Sequence, residues 1–468
     1  MGSVMVALSL AGIMLLIGMV LRAKVAFFKK HMIPSSVIAG FLGFAFMNAG
    51  ANNLLPWQVE FGTFSSIVIY LFAIAFISMI LTDAPNQESG SSTGKNILKG
   101  CLGMGNTWNI LYVITPLIGA VFLMFFGGIF NMAPVYGMML PFGFAQGPGQ
   151  SVTFGTMLEE MGWDNAIAVG MLYSVFGFIV TFVIGIPLLR FGLKRGLGIS
   201  SRNEDSGHEK PAKTCEEKDA QPAVQPAANI GDIDVLTFHI SIVGLCLIIA
   251  MQFSNWWFLV PSTIGATMGG MLFMNGILAA VIVKFVIKKL KLGHLMNNSL
   301  QAKITAWSAD YLVIISFMAI GIGLIIEWII PILILCVITT VVSLIASRYF
   351  IPRIGRPNDF ERTIAFYGVS VGTIPTALVL LRVVDPDLKT TTGIELGLMN
   401  IIMIVGSMPI VFAVMAYAAG DLSINQILAI FVGFALLVLI LHKLFRVWNK
   451  PSFAFFGKPE AAAKIENG

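Results

Sequence analysis

The stretch 141–154, Pro141-Phe-Gly-Phe-Ala-Gln-Gly-Pro-Gly-Gln-Ser-Val-Thr-Phe154, lies between two long apolar segments. It contains three glycines, two prolines and two glutamines. Glycine weakens a helix through backbone entropy, and proline removes a donor from the ladder. Its surroundings make this composition a problem. Of 468 residues, 57% are hydrophobic and only 11% charged, whereas soluble domains carry about a quarter charged residues. Mean hydropathy is +0.87. Uncharged runs long enough to cross a ~30 Å hydrocarbon core recur along the chain. Unwound main chain is costly at membrane depth, where its N–H and C=O groups meet no water. It persists only where those groups face a cavity or a ligand.

The hydropathy pattern predicts an all-α, multi-pass membrane protein with eleven spans. They are placed at 4–21, 33–50, 61–82, 104–127, 166–189, 233–251, 259–283, 310–328, 330–347, 394–418 and 424–445. No basic n-region precedes 4–21 and no small-residue cleavage site follows it, so a retained first span is expected rather than a signal peptide. Two weakly apolar stretches, 134–158 and 362–384, are rich in Gly, Pro and Thr. They are expected to be re-entrant.

Charge placement supports that expectation. Basic residues flank cytoplasmic loops. With the N-terminus outside, the C-terminus cytoplasmic and both broken segments returning to their own side, all 29 Lys and Arg fall at cytoplasmic positions. The outer loops keep only acids: Glu60, Glu159, Glu160, Asp164, Glu327 and Asp421. The net charge of +5 is thus accounted for by loop bias, and no nucleic-acid partner is expected. Cys101, Cys215, Cys246 and Cys336 form no CxxC pair, which argues against a metal or disulfide framework.

An internal repeat runs through the chain. Residues 33–48, IPSSVIAGFLGFAFMN, and 260–275, VPSTIGATMGGMLFMN, share seven identities at an offset of 227. The same offset carries Pro148 onto Pro375, inside the second broken stretch. The expected division is a first repeat (1–195), a hydrophilic cytoplasmic linker (196–231), a second repeat of opposite orientation (232–418), and an added helix with its tail (419–468). Each repeat has about five spans and a broken hairpin. Inverted repeats with interrupted helices are a signature of secondary transporters.

The two interruptions supply the candidate site. Gln146, Gly147, Gly149, Gln150, Ser151 and Thr153 on one side, with Thr373, Thr376 and Arg382 on the other, are the candidate substrate ligands. Ser370, Gly372, Thr373 and Asn400 are candidate Na⁺ ligands, and Pro148 and Pro375 are the breakpoints. Carbonyl and hydroxyl oxygens suit a small hard cation, and N–H groups at helix N-termini suit a carboxylate. Arg382 could hold a carboxylate bidentately or anchor the inner surface. Asp83 and Asp310 are expected at solvated span ends and Glu395 at the inner edge. His239 is expected to pack, Asn48 and Asn275 to cap helix ends, and Tyr173 and Ser174 to line a cavity. No Walker loop or HExxH motif occurs, so neither an ATP-driven pump nor an enzyme is expected.

At these residues the chain resembles the bacterial sodium/glutamate symporter family, over most of 1–418. Phe27-Phe-Lys-Lys-His-Met-Ile-Pro34 with Val37-Ile-Ala-Gly40 is similar to that family's first-loop and second-span signature. Residues 144–154, with Met161-Gly-Trp-Asp-Asn-Ala166, occupy the place of its first glycine motif. Gly372-Thr-Ile-Pro-Thr-Ala377 resembles its second. The resemblance implies a homodimer in a bacterial inner membrane and sodium-coupled, elevator-like movement of a small carboxylate such as glutamate, with Na⁺ as coupling ion and no other cofactor. The chain departs from the family at both motifs. Ala145-Gln-Gly-Pro-Gly-Gln-Ser-Val-Thr153 replaces a run usually close to Gly-Gly-His-Gly-Thr-Gly-Ala-Ala-Trp. Val379-Leu-Leu381 replaces Ala-Asn-Met. The alternatives from the residues alone are a passive channel and, more remotely, a membrane enzyme or sensor.

Overall fold

A computed structural model describes residues 2–30, 33–54, 56–82, 91–198, 234–355, 358–386 and 390–453. Asp83, Cys215, nearly all of the expected linker and the end of the tail lie outside the described residues. Among the described residues every regular element is helical.

The chain forms two compact units. The first comprises Met1–Ser65, Gln87–Arg202 and Val313–Gly468. It contains α1 (Gly2–Lys24), α2 (Ser35–Asn48), α4 (Ser91–Phe130), the short helices α5 (Pro134–Met138) and α6 (Leu140–Phe144), α7 (Pro148–Glu160) and α8 (Ala166–Leu193). It also holds α13 (Ile322–Phe350), α14 (Asp359–Ser370), α15 (Ile374–Val384), α16 (Thr392–Ala418) and α17 (Ile424–Leu444). The second unit, Ser66–Asn86 with Asn203–Leu312, holds most of α3 (Phe61–Leu81) and α12 (Asn298–Met318). It also holds α9 (Val235–Phe258), α10 (Thr263–Gly270) and α11 (Leu272–Lys289).

Among the described residues, eight helices are long and apolar enough to cross a bilayer, with the bent pair α10–α11 as a ninth. The expected spans shift in three places. Helix α2 has only 14 residues, about 21 Å at 1.5 Å per residue, shorter than the hydrocarbon core. The span expected at 259–283 bends by 70° at Met271. Asn275 bridges the bend, its Nδ2 donating to Met268 O (2.9 Å) and Ser254 Oγ (2.8 Å). The boundary expected near 329 falls instead at 319–321, between α12 and α13. Gly321 is extended there (φ −85°, ψ 130°) as the N-cap of α13, and the break carries neither proline nor charge.

In the second unit His239 packs, as expected. Its Nε2 accepts the Asn297 N–H (2.8 Å), which leaves Nδ1–H to donate to Val235 O (2.7 Å). Lys284 Nζ donates to Ile80 O and Thr82 O at the end of α3, both at 2.8 Å. A cation at a helix C-terminus is favourably placed. In the first unit Asn48 closes α2 by donating to Phe44 O and Ile320 O, each at 2.9 Å.

Helix α4 meets α5 main chain to main chain, because Gly119 and Gly137 face one another without side chains. A methyl on either would overlap the other's carbonyl. Gly137→Val is therefore expected to destabilise the protein by about 1–3 kcal/mol, the usual cost of overpacking, read as a lowered thermal midpoint of the purified protein.

Candidate functional site

Each broken stretch doubles back on itself. In the first, Phe142 and Phe154 are twelve positions apart in sequence, yet their rings pack at 4.4 Å. The ends of this hairpin adjoin: Tyr136 OH donates to Asp164 O at 2.7 Å. In the second, a Cβ built on Gly368 would lie 2.7 Å from Ala377 Cα and 3.1 Å from Leu380 Cδ1. Its base is closed by Asn358 Nδ2 donating to Thr391 Oγ1 (2.9 Å). Both segments thus fold back as hairpins.

Helix α8 sets where the hairpins stand. Its 28 residues are about 42 Å long. At its N-terminal end, Ile167 N–H donates to Glu159 Oε1 (3.0 Å) at the base of the first hairpin. At its C-terminal end, Gly192 packs on the Phe360 ring at the base of the second. The hairpins therefore approach from opposite ends of one spanning helix.

A stripe of small residues makes this possible. Gly170, Ser174, Gly177, Thr181 and Gly185 recur three or four positions apart and so share one face of α8. The first two receive the first hairpin: Ser151 Oγ donates to Gly170 O (2.8 Å) and Ser174 Oγ to Gly143 O (3.1 Å). The last two receive the second: Thr181 Oγ1 lies 2.7 Å from the Cβ position of Gly372, and Leu380 packs on Gly185. Gly177, between them, touches both tips at once.

There the tips meet. Gly147 (φ +82°) takes a conformation that favours glycine, and its Cβ position lies 2.5 Å from Thr373 Cγ2. The chain unwinds at 145–147 and 371–373, and α7 and α15 begin immediately afterwards. Both helix N-termini therefore converge with their positive ends. The N–H groups of Gly149, Gln150 and Ile374 have no acceptor among the described residues.

The candidate residues separate by role. Gln146 and Thr373 are half-buried at the tips, and Gln150 is buried with Oε1 lacking a hydrogen-bond partner. Gly149 sits in the first turn of α7. Ser151 and Thr153 are tied up in packing, Thr153 to its own helix through Gly149 O (2.8 Å). Thr376 Oγ1 accepts Thr373 N–H (2.9 Å) and closes the second tip. Ser370 Oγ donates to Tyr367 O (2.9 Å). Gly372 packs against Thr181 and Thr376. Pro148 and Pro375 occupy the first turns of α7 and α15. Asn400 is buried on α16. Arg382 is exposed in the last turn of α15, away from the tip. Tyr173 and Ser174 join α8 to the first hairpin, Tyr173 OH donating to Tyr136 O (3.1 Å).

Sequence reading missed three features. One is the α8 stripe. Another is Tyr112 on α4, whose OH donates to Gln146 Oε1 (2.9 Å) and whose ring stacks on Trp108 (4.6 Å). The third is a buried ionic cluster at the base of the second hairpin. Glu395, expected at the inner edge, is wholly buried, and it accepts a bidentate pair from Arg362 (Nε and Nη2, both 2.7 Å). Arg362 also bonds Asp359 (3.0 Å) and the main-chain oxygens of Gly355 (2.7 Å) and Asn96 (3.3 Å). The bidentate guanidinium partner offsets the desolvation penalty that would otherwise keep a lone carboxylate at the interface.

The sodium/glutamate symporter family model matches residues 3–388 of the chain. No curated protein matches it. Among solved structures, that of the sodium proton antiporter MjNhaP1 from Methanocaldococcus jannaschii at pH 8 aligns over 95% of this chain and 99% of that one, at 11% identity and a TM-score of 0.40.

Two outcomes follow from the site's geometry. Glu395→Gln leaves Arg362 buried and short of its counter-charge, and is expected to cost about 3–5 kcal/mol, seen as a large fall in thermal midpoint. Gly147→Ala brings both a left-handed φ and a clash with the Thr373 methyl. Adding Thr373→Ser is expected to recover part of its lost stability, so a double-mutant cycle should show coupling of about 0.5 kcal/mol or more.

Proposed function

We propose, from the premise that this chain belongs to the sodium/glutamate symporter family, that it is a sodium-coupled importer of a small carboxylate such as glutamate, working by alternating access in an elevator-like movement. The observation that carries this reading is the tip-to-tip meeting of two hairpins that approach from opposite ends of α8. A site so placed can be opened to either face by related movements. The matched proline breaks at an offset of 227 support two inverted repeats. The working form is a homodimer in a bacterial inner membrane, with the N-terminus outside and the C-terminus in the cytoplasm.

The substrate carboxylate is held without a basic side chain at the tips. The N-termini of α7 and α15 offer unpaired N–H groups and partial positive charge to an anion. Gln146 and Gln150 supply amide groups for the remaining polar atoms of the substrate. Tyr112 fixes the Gln146 side chain by occupying its oxygen and leaves its NH₂ free to donate.

Uptake of labelled glutamate by proteoliposomes tests the reading. Accumulation against a glutamate gradient under an inward Na⁺ gradient, lost when choline replaces Na⁺, is expected. Equilibration that ignores Na⁺ would make the protein a passive pore. In the same assay Tyr112→Phe is expected to raise the KM for substrate about three- to tenfold with normal expression, the effect of one lost hydrogen bond of about 0.5–1.5 kcal/mol.

A further inference from the structure

Each tip contains a main-chain carbonyl deprived of its helical donor. In a continuous helix Phe144 O would accept from the N–H four residues on, but that residue is Pro148. Val371 O would accept from residue 375, which is Pro375. The pairs 144/148 and 371/375 are related by the same offset of 227 as the sequence repeat. Among the described residues neither carbonyl accepts a hydrogen bond. Phe144 and Val371 are both fully buried. Buried carbonyls without a partner are uncommon and call for an explanation.

The two oxygens also converge. They lie 2.8 and 2.5 Å from the Cβ position of Gly177, and so at most 5.3 Å from each other. Two hydroxyls stand alongside: Thr181 Oγ1 and Thr376 Oγ1 are 2.7 and 2.6 Å from the Cβ position of Gly372, the residue after Val371. Four oxygens of this kind, with no nitrogen or sulfur donor, suit a hard cation. The C-terminal ends of α6 and α14 add partial negative charge at the same place.

We infer that the coupling sodium ion is bound at Gly177 by the carbonyls of Phe144 and Val371, which Pro148 and Pro375 keep free, with the hydroxyls of Thr181 and Thr376 completing the oxygen set. This deepens the symporter reading and rests on it for the identity of the ion. It differs from the ligands expected from sequence in taking two main-chain carbonyls outside that set; Thr181 Oγ1, which donates to Gly177 O (2.9 Å), and Thr376 Oγ1, which accepts Thr373 N–H (2.9 Å), reach the ion through their remaining lone pairs. The prolines act as protectors of two ligands rather than as kinks alone. The missing side chain of Gly177 leaves the space in which the carbonyls approach one another.

The test is the Na⁺-dependent rise in thermal midpoint of the purified full-length protein, titrated with NaCl against choline chloride at constant ionic strength. Pro148→Ala and Pro375→Ala each restore an N–H facing one carbonyl and add no bulk. Each is expected to raise the half-saturating Na⁺ concentration at least about fivefold while leaving the midpoint in choline unchanged or higher. Thr181→Val removes one hydroxyl at constant volume and reads the same site without altering either hairpin, should a proline variant fail to fold. Pro409→Ala, in the continuous helix α16, is expected to behave as wild type. Folded proline variants and Thr181→Val with wild-type half-saturation, or a wild-type protein that Na⁺ does not stabilise, would overturn the site. The two readings fail separately. A sodium shift lost in the variants, in a protein that accumulates no glutamate, keeps the cation site and removes the glutamate symporter. Sodium-driven glutamate uptake with insensitive variants does the reverse.

Discussion

Main-chain N–H and C=O groups cannot be left facing hydrocarbon, and the first unit is organised around the two places where its chain leaves them without helical partners. At 145–147 and 371–373 the helices stop, and four helix ends meet beside Gly177. Lipid would make such an arrangement prohibitively expensive. Protein on every side makes it tolerable: Phe142, Phe144 and Phe154 are buried around the first tip, and Tyr367 and Val371 around the second. What remains unpaired is a small set of polar atoms concentrated at one place.

Helix α8 converts this local condition into an architecture. A helix with bulky residues on its inner face would hold both hairpins too far out for their tips to touch. Its small-residue stripe lets main chain approach main chain, as in the tight helix pairs of membrane proteins. The bases are fixed differently at the two ends. The first hairpin is closed by neutral and singly charged hydrogen bonds through Tyr136 and Glu159. The second is closed by a buried arginine shared between two carboxylates. Charge buried this way gives geometry at little net gain in stability, so we read the cluster as a device for registration of α14 against α16.

Much of this could be read in the sequence, for reasons that are themselves physical. Glycine and proline in an apolar run mark unwound chain, and both stretches expected to turn back do fold into hairpins. The numerical offset from Pro148 to Pro375 then pairs the tips. Other features were hidden because their signal is not local. The break at 319–321 sits in an uninterrupted apolar run, so hydropathy placed it some nine residues too late. The stripe on α8 is visible as spacing, but small residues serve ordinary helix packing equally well, and only the fold shows that two different hairpins use it. Arg362 and Glu395 are 33 positions apart, a separation with no helical meaning, and each looks like an interfacial charge until the partner is seen. Tyr112 belongs to an unremarkable span and gains its role only by facing Gln146.

The proposed site puts cargo and coupling ion together at the junction of the two tips. An electron cryomicroscopy structure of the protein in lipid nanodiscs with saturating Na⁺ and glutamate measures this directly. Density for the carboxylate between the N-termini of α7 and α15, with a cation beside Gly177, is the expected result. Glutamate bound elsewhere, or either unwound segment running as an unbroken helix from face to face, would rule that site out.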